Sequence, residues 1–286
     1  MRVLPEEIPE VARLVNQLCG VILDGTKGYL IESRLSGLAE AAGCATFAEF
    51  CRKVRSSTDR SLATKVIDAI TTQETLFFRD ASPFEALAHK VIPDLIDSKA
   101  GSLFPKRIRV WSAACSTGQE PYSIAMVFHE LLPDVHSWDI QILATDISDA
   151  AIQRASAGLF PRHEIQRGMK PQMLSKYFRE GPAGWKVRDE LRGMIAFQRL
   201  NLLEPFPTLG PFDVIFCRNV AIYFDPPSRR SLFMRLADRL TPEGTMFVGS
   251  AESLADLGPQ FLPLHHCRTV FYQPRRRGVA AMARTA

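Results

Sequence analysis

The chain lacks the cysteine pattern of a disulfide framework or a structural zinc site. Its six cysteines, at 19, 44, 51, 115, 217 and 267, include no C-x-x-C pair, which suits a reducing cytosol, so a cytoplasmic location is expected. No apolar run reaches the ~18 residues that a membrane span needs, so no membrane insertion is expected. Glu6, Glu7 and Glu10 interrupt the first residues, so no signal peptide is expected. A strong charge of either sign is also missing. The net charge is +4 with a pI near 8.8, and basic and acidic residues alternate where a nucleic-acid protein would concentrate its cations on one face. The clearest basic cluster, Arg275-Arg276-Arg277, belongs to a tail without apolar periodicity and reads as a solvated, mobile end. A metal is not expected. His265, His266 and Cys267 are adjacent, and neighbouring strand residues point to opposite faces.

Two phosphate-binding patterns are absent as well. There is no G-x-x-x-x-G-K-[ST] and no G-x-G-x-x-G. What is present is residues 107–122, around which the chain is organised. Ile108 to Ala113 is a short β-rich apolar run, the mark of a buried strand. It breaks into the small residues Ala114-Cys115-Ser116-Thr117-Gly118. Pro121 suits a first helical turn, and the spacing predicts a helix over Tyr122 to Leu132. Strand, tight turn and helix N-terminus form the unit that holds nucleotide-like cofactors in open α/β folds. With a single glycine the turn does not suit a pyrophosphate. Asp146 ends the next strand, where a carboxylate accepts from ribose hydroxyls, although the interval is longer than the usual ~20 residues. A ribose without a pyrophosphate points to S-adenosylmethionine.

The rest of the 286 residues, 46% of them hydrophobic, read as two domains and an insertion. Residues 1–72 show helical stripes only, at Ile8/Val11/Val15/Leu18, Tyr29/Leu30/Leu35/Leu38, Phe47/Phe50/Cys51/Val54 and Leu62/Val66/Ile67/Ile70, and predict a small bundle. Lys27, Arg34, Arg52, Lys53, Arg55, Arg60 and Lys65 form either a basic face or an ordinary solvated one. Residues 73–275 form the second domain, and within it strands alternate with helices from 108 to 250, which predicts a doubly wound parallel sheet. Phe84 to Leu95 predicts a helix ahead of the first strand, and Ser148 caps a helix running to Ala157. Phe197 to Leu202, Phe212 to Cys217 and Thr245 to Gly249 predict strands, and Ser231 to Leu240 a helix entered through Asp225-Pro226-Pro227. Phe261 to Leu264 and Thr269 to Tyr272 predict an antiparallel closing pair. Residues 160–195 read as an inserted β-subdomain whose hairpin runs from Lys186–Arg188 towards Met194–Phe197. Residues 276–286 are the expected mobile tail.

Five stretches match a family. Thr72-Gln-Glu-Thr-Leu-Phe-Phe-Arg79, Ser112-Ala-Ala-Cys-Ser-Thr-Gly-Gln-Glu120, Ala144-Thr-Asp-Ile-Ser148, Asn201-Leu202 and Phe216-Cys-Arg-Asn-Val-Ala-Ile-Tyr-Phe224 occur in the order, and at spacings compatible with, the bacterial chemotaxis receptor methyltransferases. The helical region, notably Tyr29 to Leu38, is similar to that family's small domain. The resemblance implies a class I methyltransferase sheet with an antiparallel last strand. It implies transfer of a methyl group from S-adenosylmethionine to glutamate side chains of chemoreceptor cytoplasmic helices, with S-adenosylhomocysteine as product. Its cofactor positions fall on Gln73, Thr75, Arg79, Glu120, Asp146, Asn201, Leu202, Arg218 and Asn219. The family usually carries asparagine where this chain has Gln73. The side-chain chemistry fits: Glu120 for the ammonium, Arg79 for the carboxylate, Asp146 for the ribose, and the two asparagines for the adenine and methionine parts. Arg79 and Tyr223 are the expected catalytic residues, orienting the acceptor carboxylate.

Three other readings bear on partners. Asp225-Pro226-Pro227-Ser228 resembles the D-P-P-Y of DNA amino-methyltransferases, yet the stacking aromatic is missing at Ser228, so no nucleic-acid substrate is expected. A non-catalytic module that binds S-adenosylmethionine or S-adenosylhomocysteine as a signal is the rival of another class, and the presence of both Arg79 and Tyr223 argues for the enzyme. In the family the inserted subdomain can grip a receptor C-terminal peptide. That tether goes with a longer hairpin than the turn at Gly181-Pro-Ala-Gly184, so an untethered, monomeric enzyme is expected.

Overall fold

The computed structural model describes residues 1–100, 106–132 and 134–275. The expected mobile tail, 276–286, lies outside them. Four helices, α1 (Ile8–Cys19), α2 (Gly28–Ala41), α3 (Phe47–Ser56) and α4 (Ser61–Ile70), follow the four stripes. Their apolar faces meet in a core that includes Val11, Val15, Leu35, Phe47, Phe50 and Ile67. Thr46 starts α3 by accepting from Glu49 N at 3.1 Å, while the Glu49 carboxylate accepts from Ala45 N at 2.8 Å, which satisfies two N–H groups that the helix itself cannot. Three of the basic residues have partners within the domain: Arg34 donates to the carbonyls of Ala69 and Thr71, Lys53 to that of Ala42, and Arg55 pairs with Glu10.

A long helical segment follows in three parts, α5 (Ser82–Ala86), a π-helical turn (Leu87–Val91) and α6 (Ile92–Ala100). Pro93 accounts for the widening. It has no N–H for the His89 carbonyl and its ring crowds that carbonyl, so the turn before it opens.

The sheet elements are β1 (Arg107–Ala113), α7 (Gln119–Leu131), β2 (Asp139–Asp146) and α8 (Asp149–Ala157), then, beyond the insertion, β6 (Ile195–Arg199). They continue through β7 (Phe212–Cys217), α12 (Pro226–Ala237), β8 (Leu240–Phe247), β9 (Phe261–His266) and β10 (Thr269–Pro274). The strand order is β6-β2-β1-β7-β8-β10-β9. All pairs up to β8 are parallel, and β10 is antiparallel to both β8 and β9. This is the doubly wound class I methyltransferase sheet with its antiparallel edge. Aromatic contacts run through the core between the sheet and the helices, with Phe216 stacked on Phe247 at 4.5 Å and on Phe84 at 5.9 Å.

The insertion carries β3 (Leu159–Phe160), α9 (Arg162–Ile165), α10 (Pro171–Tyr177), β4 (Phe178–Gly181), β5 (Gly184–Val187) and α11 (Asp189–Arg192). Its small sheet has the order β3-β5-β4. The expected pairing of Lys186–Arg188 with Met194–Phe197 is incorrect. Gly181 and Gly184 are register partners across a turn of Pro182 and Ala183, so β5 pairs with β4, and Ile195–Arg199 joins the large sheet beside β2.

Other boundaries move as well. The strand expected over Phe197 to Leu202 is Ile195–Arg199, because the residues after Arg199 leave the β2 ladder. α7 begins at Gln119 rather than Tyr122, directly after Gly118 at φ 98°. The helix expected over Ser231 to Leu240 is Pro226–Ala237, because Asp225 caps it by accepting from Ser228 N at 2.6 Å and Pro226 occupies the first turn. Leu240 already belongs to β8, so that strand starts earlier than Thr245. The β9–β10 hairpin turns on Cys267 and Arg268, at φ 46° and 60°. Two-residue hairpins of this kind favour Asn-Gly. Cys267→Asn with Arg268→Gly is therefore expected to stabilise the protein by about 1–2 kcal/mol. A urea midpoint that rises at constant slope would show it.

Candidate active site

In a sheet of this order the crevice opens between β1 and β7, beyond their carboxyl ends. The chain leaves β1, β2, β6 and β7 at that edge, and a cavity of about 280 Å³ lies there. Every residue nominated from the sequence lines it: Gln73, Thr75 and Arg79 from the linker, Glu120 from α7, and Asp146 from β2. Asn201 and Leu202 follow β6, and Arg218, Asn219 and Tyr223 follow β7. The helical domain supplies a further wall that sequence reasoning missed, with Cys19, Ile22, Lys27 and Tyr29 among its residues. No single-residue pattern marks them, since they meet the cavity through the packing of two domains.

The backbone is strained where the site needs it. Among the described residues, Phe78, Asp80, Ala114, Ser116 and Asn219 take positive φ without being glycine, and all five lie on the loops around this cavity. Such conformations persist only where neighbours over-determine them, and the neighbours are identifiable. Phe78 N donates to Ser123 Oγ at 3.0 Å. Arg218 Nη2 donates to the Arg79 carbonyl and to Asp80 Oδ2, both at 2.9 Å. Glu252, buried and not nominated from sequence, accepts from Asn219 N and Gly249 N at 2.7 Å and from Ala221 N at 3.0 Å.

Arg218 is the centre of the charge arrangement. Its side chain is 2% exposed, its Nη1 donates to Glu120 Oε2 at 3.1 Å, and it packs over the Phe84 ring. Ser112 Oγ donates to the other Glu120 oxygen at 2.7 Å. Arg218 Nε is buried and makes no hydrogen bond among the described residues. Arg79, by contrast, is only half-buried and donates to the Glu74 carbonyl at 3.1 Å.

Asp146 sits in a cradle of backbone donors, accepting from Ser116 N at 2.8 Å and Ser148 N at 3.0 Å. Burial nevertheless pushes its carboxyl above the usual range, with the neighbouring Asp68 adding to the effect. Gln73 donates its amide to Ser148 Oγ at 2.8 Å, and Asn201 donates to the Leu18 carbonyl at 3.3 Å, so both tie the linker and loops together as well as lining the cavity. Tyr223 is 36% exposed at the rim beside Ile22, and its carbonyl accepts from Ile22 N at 3.1 Å.

Two buried cysteines lie near these carboxylates. Burial raises the thiols of Cys115 and Cys217 well above their ordinary value, and Glu120 adds to this for both. A thiol-alkylating agent at about pH 8 is expected to label half-exposed Cys44 and Cys267 in the native protein. Cys19, Cys51, Cys115 and Cys217 should react only after unfolding, as peptide mapping by mass spectrometry would show. Among the described residues no group of three metal-ligating side chains converges, and no helix is long and apolar enough to cross a membrane.

Comparison with known proteins accords with this geometry. Residues 6–71 match the all-alpha domain of the CheR methyltransferases, and residues 73–268 match their SAM binding domain. A chemotaxis protein methyltransferase of Pseudomonas aeruginosa is 37% identical, over 91% of this chain and 95% of its own length. One from Vibrio cholerae is 37% identical, over 90% and 92%, and one from Borreliella burgdorferi 34%, over 89% and 90%. With both domains matched in order across most of its length, the chain belongs to the CheR methyltransferase family, as an S-adenosylmethionine-dependent enzyme of chemotaxis.

Proposed function

We propose that this enzyme methylates glutamate side chains on the cytoplasmic helices of chemoreceptors, leaving glutamate methyl esters. The observation that carries the reading is the cavity between the two domains. Glu120 and Asp146 line it together with two arginines, Arg79 and Arg218, and with Tyr223 at the exposed rim. Glu120 suits a cofactor ammonium, Asp146 the ribose hydroxyls, and Gln73, Thr75, Asn201, Leu202 and Asn219 the remaining contacts. Arg79, half-buried on the cavity wall, is a donor for a carboxylate.

When bound, S-adenosylmethionine supplies an electrophilic methyl group on a sulfonium centre. The protein's part is alignment. A glutamate with a pKa of ~4.3 is already ionised at neutral pH, so no group has to remove a proton, and none of the lining residues is a histidine. Arg79 and Tyr223 hold the acceptor carboxylate in line, and positioning of this kind lowers a barrier by roughly 7–11 kcal/mol. Ile22, Tyr29 and Ile222 are exposed near the mouth and suit the apolar stripe of a helix. The two-residue turn between β4 and β5 supports action on the receptor without a tail peptide.

The test is methyl transfer from radiolabelled S-adenosylmethionine to membranes that carry the cognate receptors. Base-labile label on the receptor is the expected result. Calorimetric binding of S-adenosylhomocysteine with no label on any receptor would overturn the receptor-glutamate reading.

A further inference from the structure

The helical domain reaches Asp146 through hydrogen bonds that the alignment chemistry does not call for. Asp68, near the end of α4, accepts from Ser148 Oγ at 2.6 Å. Ser148 caps α8, its Oγ accepting from Ala151 N at 3.0 Å, and its own N–H holds one oxygen of Asp146. The other oxygen of Asp146 is held by Ser116 N, and Ser116 Oγ donates to the Gln73 carbonyl at 3.0 Å. Gln73 closes the circuit by donating Nε2 to Ser148 Oγ at 2.8 Å. Ile147, between the two anchored residues, packs against the core of the helical domain. The segment Asp146-Ile147-Ser148 therefore has contacts in both domains.

The valence of the Ser148 hydroxyl makes Asp68 necessary. A hydroxyl has one proton and two lone pairs. Both lone pairs receive donors, from Gln73 and Ala151, so the proton needs an acceptor on the remaining side, and Asp68 is that acceptor. Gln73 has a matching explanation. The family's usual asparagine is one methylene shorter and falls short of Ser148 unless the linker shifts. Gln73 supplies that reach here.

We propose that Asp68, acting through Ser148 and Gln73, is a positioning residue for Asp146, so that docking of the helical domain sets affinity for the adenosyl half of the cofactor. The proposal rests on the assignment of Asp146 to the ribose hydroxyls. A merely structural Asp68 would lower stability and leave cofactor affinity unchanged. A positioning Asp68 changes affinity and the KM for S-adenosylmethionine more than kcat.

The experiment is calorimetric binding of S-adenosylhomocysteine to the full chain, with urea unfolding as the fold control. Asp68→Ala is expected to weaken binding about tenfold, whereas Asp68→Asn, which keeps an acceptor oxygen, stays within about threefold of wild type. In Asp146→Asn, adding Asp68→Ala is expected to cost less than about twofold more, because the two act as one unit. Gln73→Asn, on the linker and outside either core, is expected to weaken binding about threefold in wild type but less than about twofold in Asp146→Asn. That difference separates positioning from a direct contact of Gln73 with the cofactor and carries the test if Asp68→Ala does not fold. Wild-type affinity in Asp68→Ala or Gln73→Asn, with Asp146→Asn weakened, would overturn the positioning role and leave the ribose assignment standing. Equal losses in Asp68→Asn and Asp68→Ala would overturn it too. Wild-type affinity in Asp146→Asn would remove the ribose assignment, and the inference with it.

Discussion

Arg218→Ala is expected to destabilise the protein by about 3–5 kcal/mol and to abolish methyl transfer in the same stroke. The guanidinium is 2% exposed, and its two carboxylate partners, Glu120 and Asp80, are 12% and 37% exposed. Removing it leaves Glu120 a buried carboxylate with Ser112 as its remaining partner, and frees the Arg79 carbonyl and Asp80 that hold a positive-φ loop in place. Arg218→Lys keeps the charge without the fork. One ammonium cannot reach Glu120, Asp80 and the Arg79 carbonyl together, so an intermediate loss is expected. Arg79→Ala is the informative contrast. Among the described residues its side chain makes a single hydrogen bond, to the Glu74 carbonyl, so stability should stay within about 0.5 kcal/mol of wild type. Its kcat/KM should still fall about 10²–10³-fold if it orients the acceptor carboxylate. Denaturation midpoints and methyl-transfer kinetics on the same two proteins check both statements. A stable, inactive Arg218→Ala would remove the structural half of the argument, and an active Arg79→Ala the catalytic half.

That contrast also shows what the sequence could and could not reveal. The strand–turn–helix at 107–131 was legible because β1 is apolar and buried along most of its length and the turn is built of small residues. The string ending at Asn219-Val-Ala-Ile-Tyr-Phe224 was legible because its residues stand in one unbroken run. The role of Arg218 as a fastener was not, because Glu120 and Asp80 lie 98 and 138 positions away in the chain and become its neighbours only in the fold. Glu252 escaped for a related reason. Its partners are three backbone N–H groups, and no side-chain pattern announces those. The misread hairpin in the insertion has a local cause. Val187 and Ile195–Phe197 look alike as β-rich runs, and α11 between them is only Asp189–Arg192, too short to show a helical period. The wall contributed by the helical domain was invisible altogether, since Cys19, Ile22 and Tyr29 sit in segments that read as ordinary bundle.

The insertion also bears on catalysis, and Gly168→Ala is expected to expose this with the second large effect. Gly168 takes φ +94°, and a Cβ there would lie 2.0 Å from the carbonyl oxygen of Phe77. That oxygen is backbone, so no rotamer change relieves the overlap. Phe77 cannot retreat. Its ring is fully buried and packs edge-on to Phe160 at 5.0 Å and to Phe178 at 5.6 Å. The strain must therefore push the insertion off the linker or shift the linker itself, two residues from Arg79. A loss of about 3 kcal/mol or more is expected from left-handed strain and overpacking together. Gly43→Ala separates the two contributions. Gly43 has a comparable φ of +72°, and among the described residues nothing beyond its own chain neighbours lies within 4 Å of the added carbon, so it should cost only about 1 kcal/mol. The difference between the two variants measures the clash. Activity divides them further: the Gly43 variant should transfer methyl groups at the wild-type rate, while the folded fraction of the Gly168 variant should be impaired because the Phe78–Asp80 loop has moved. If the folded Gly168 variant kept the wild-type kcat/KM, the insertion would be shown to stabilise the fold without holding the catalytic loop.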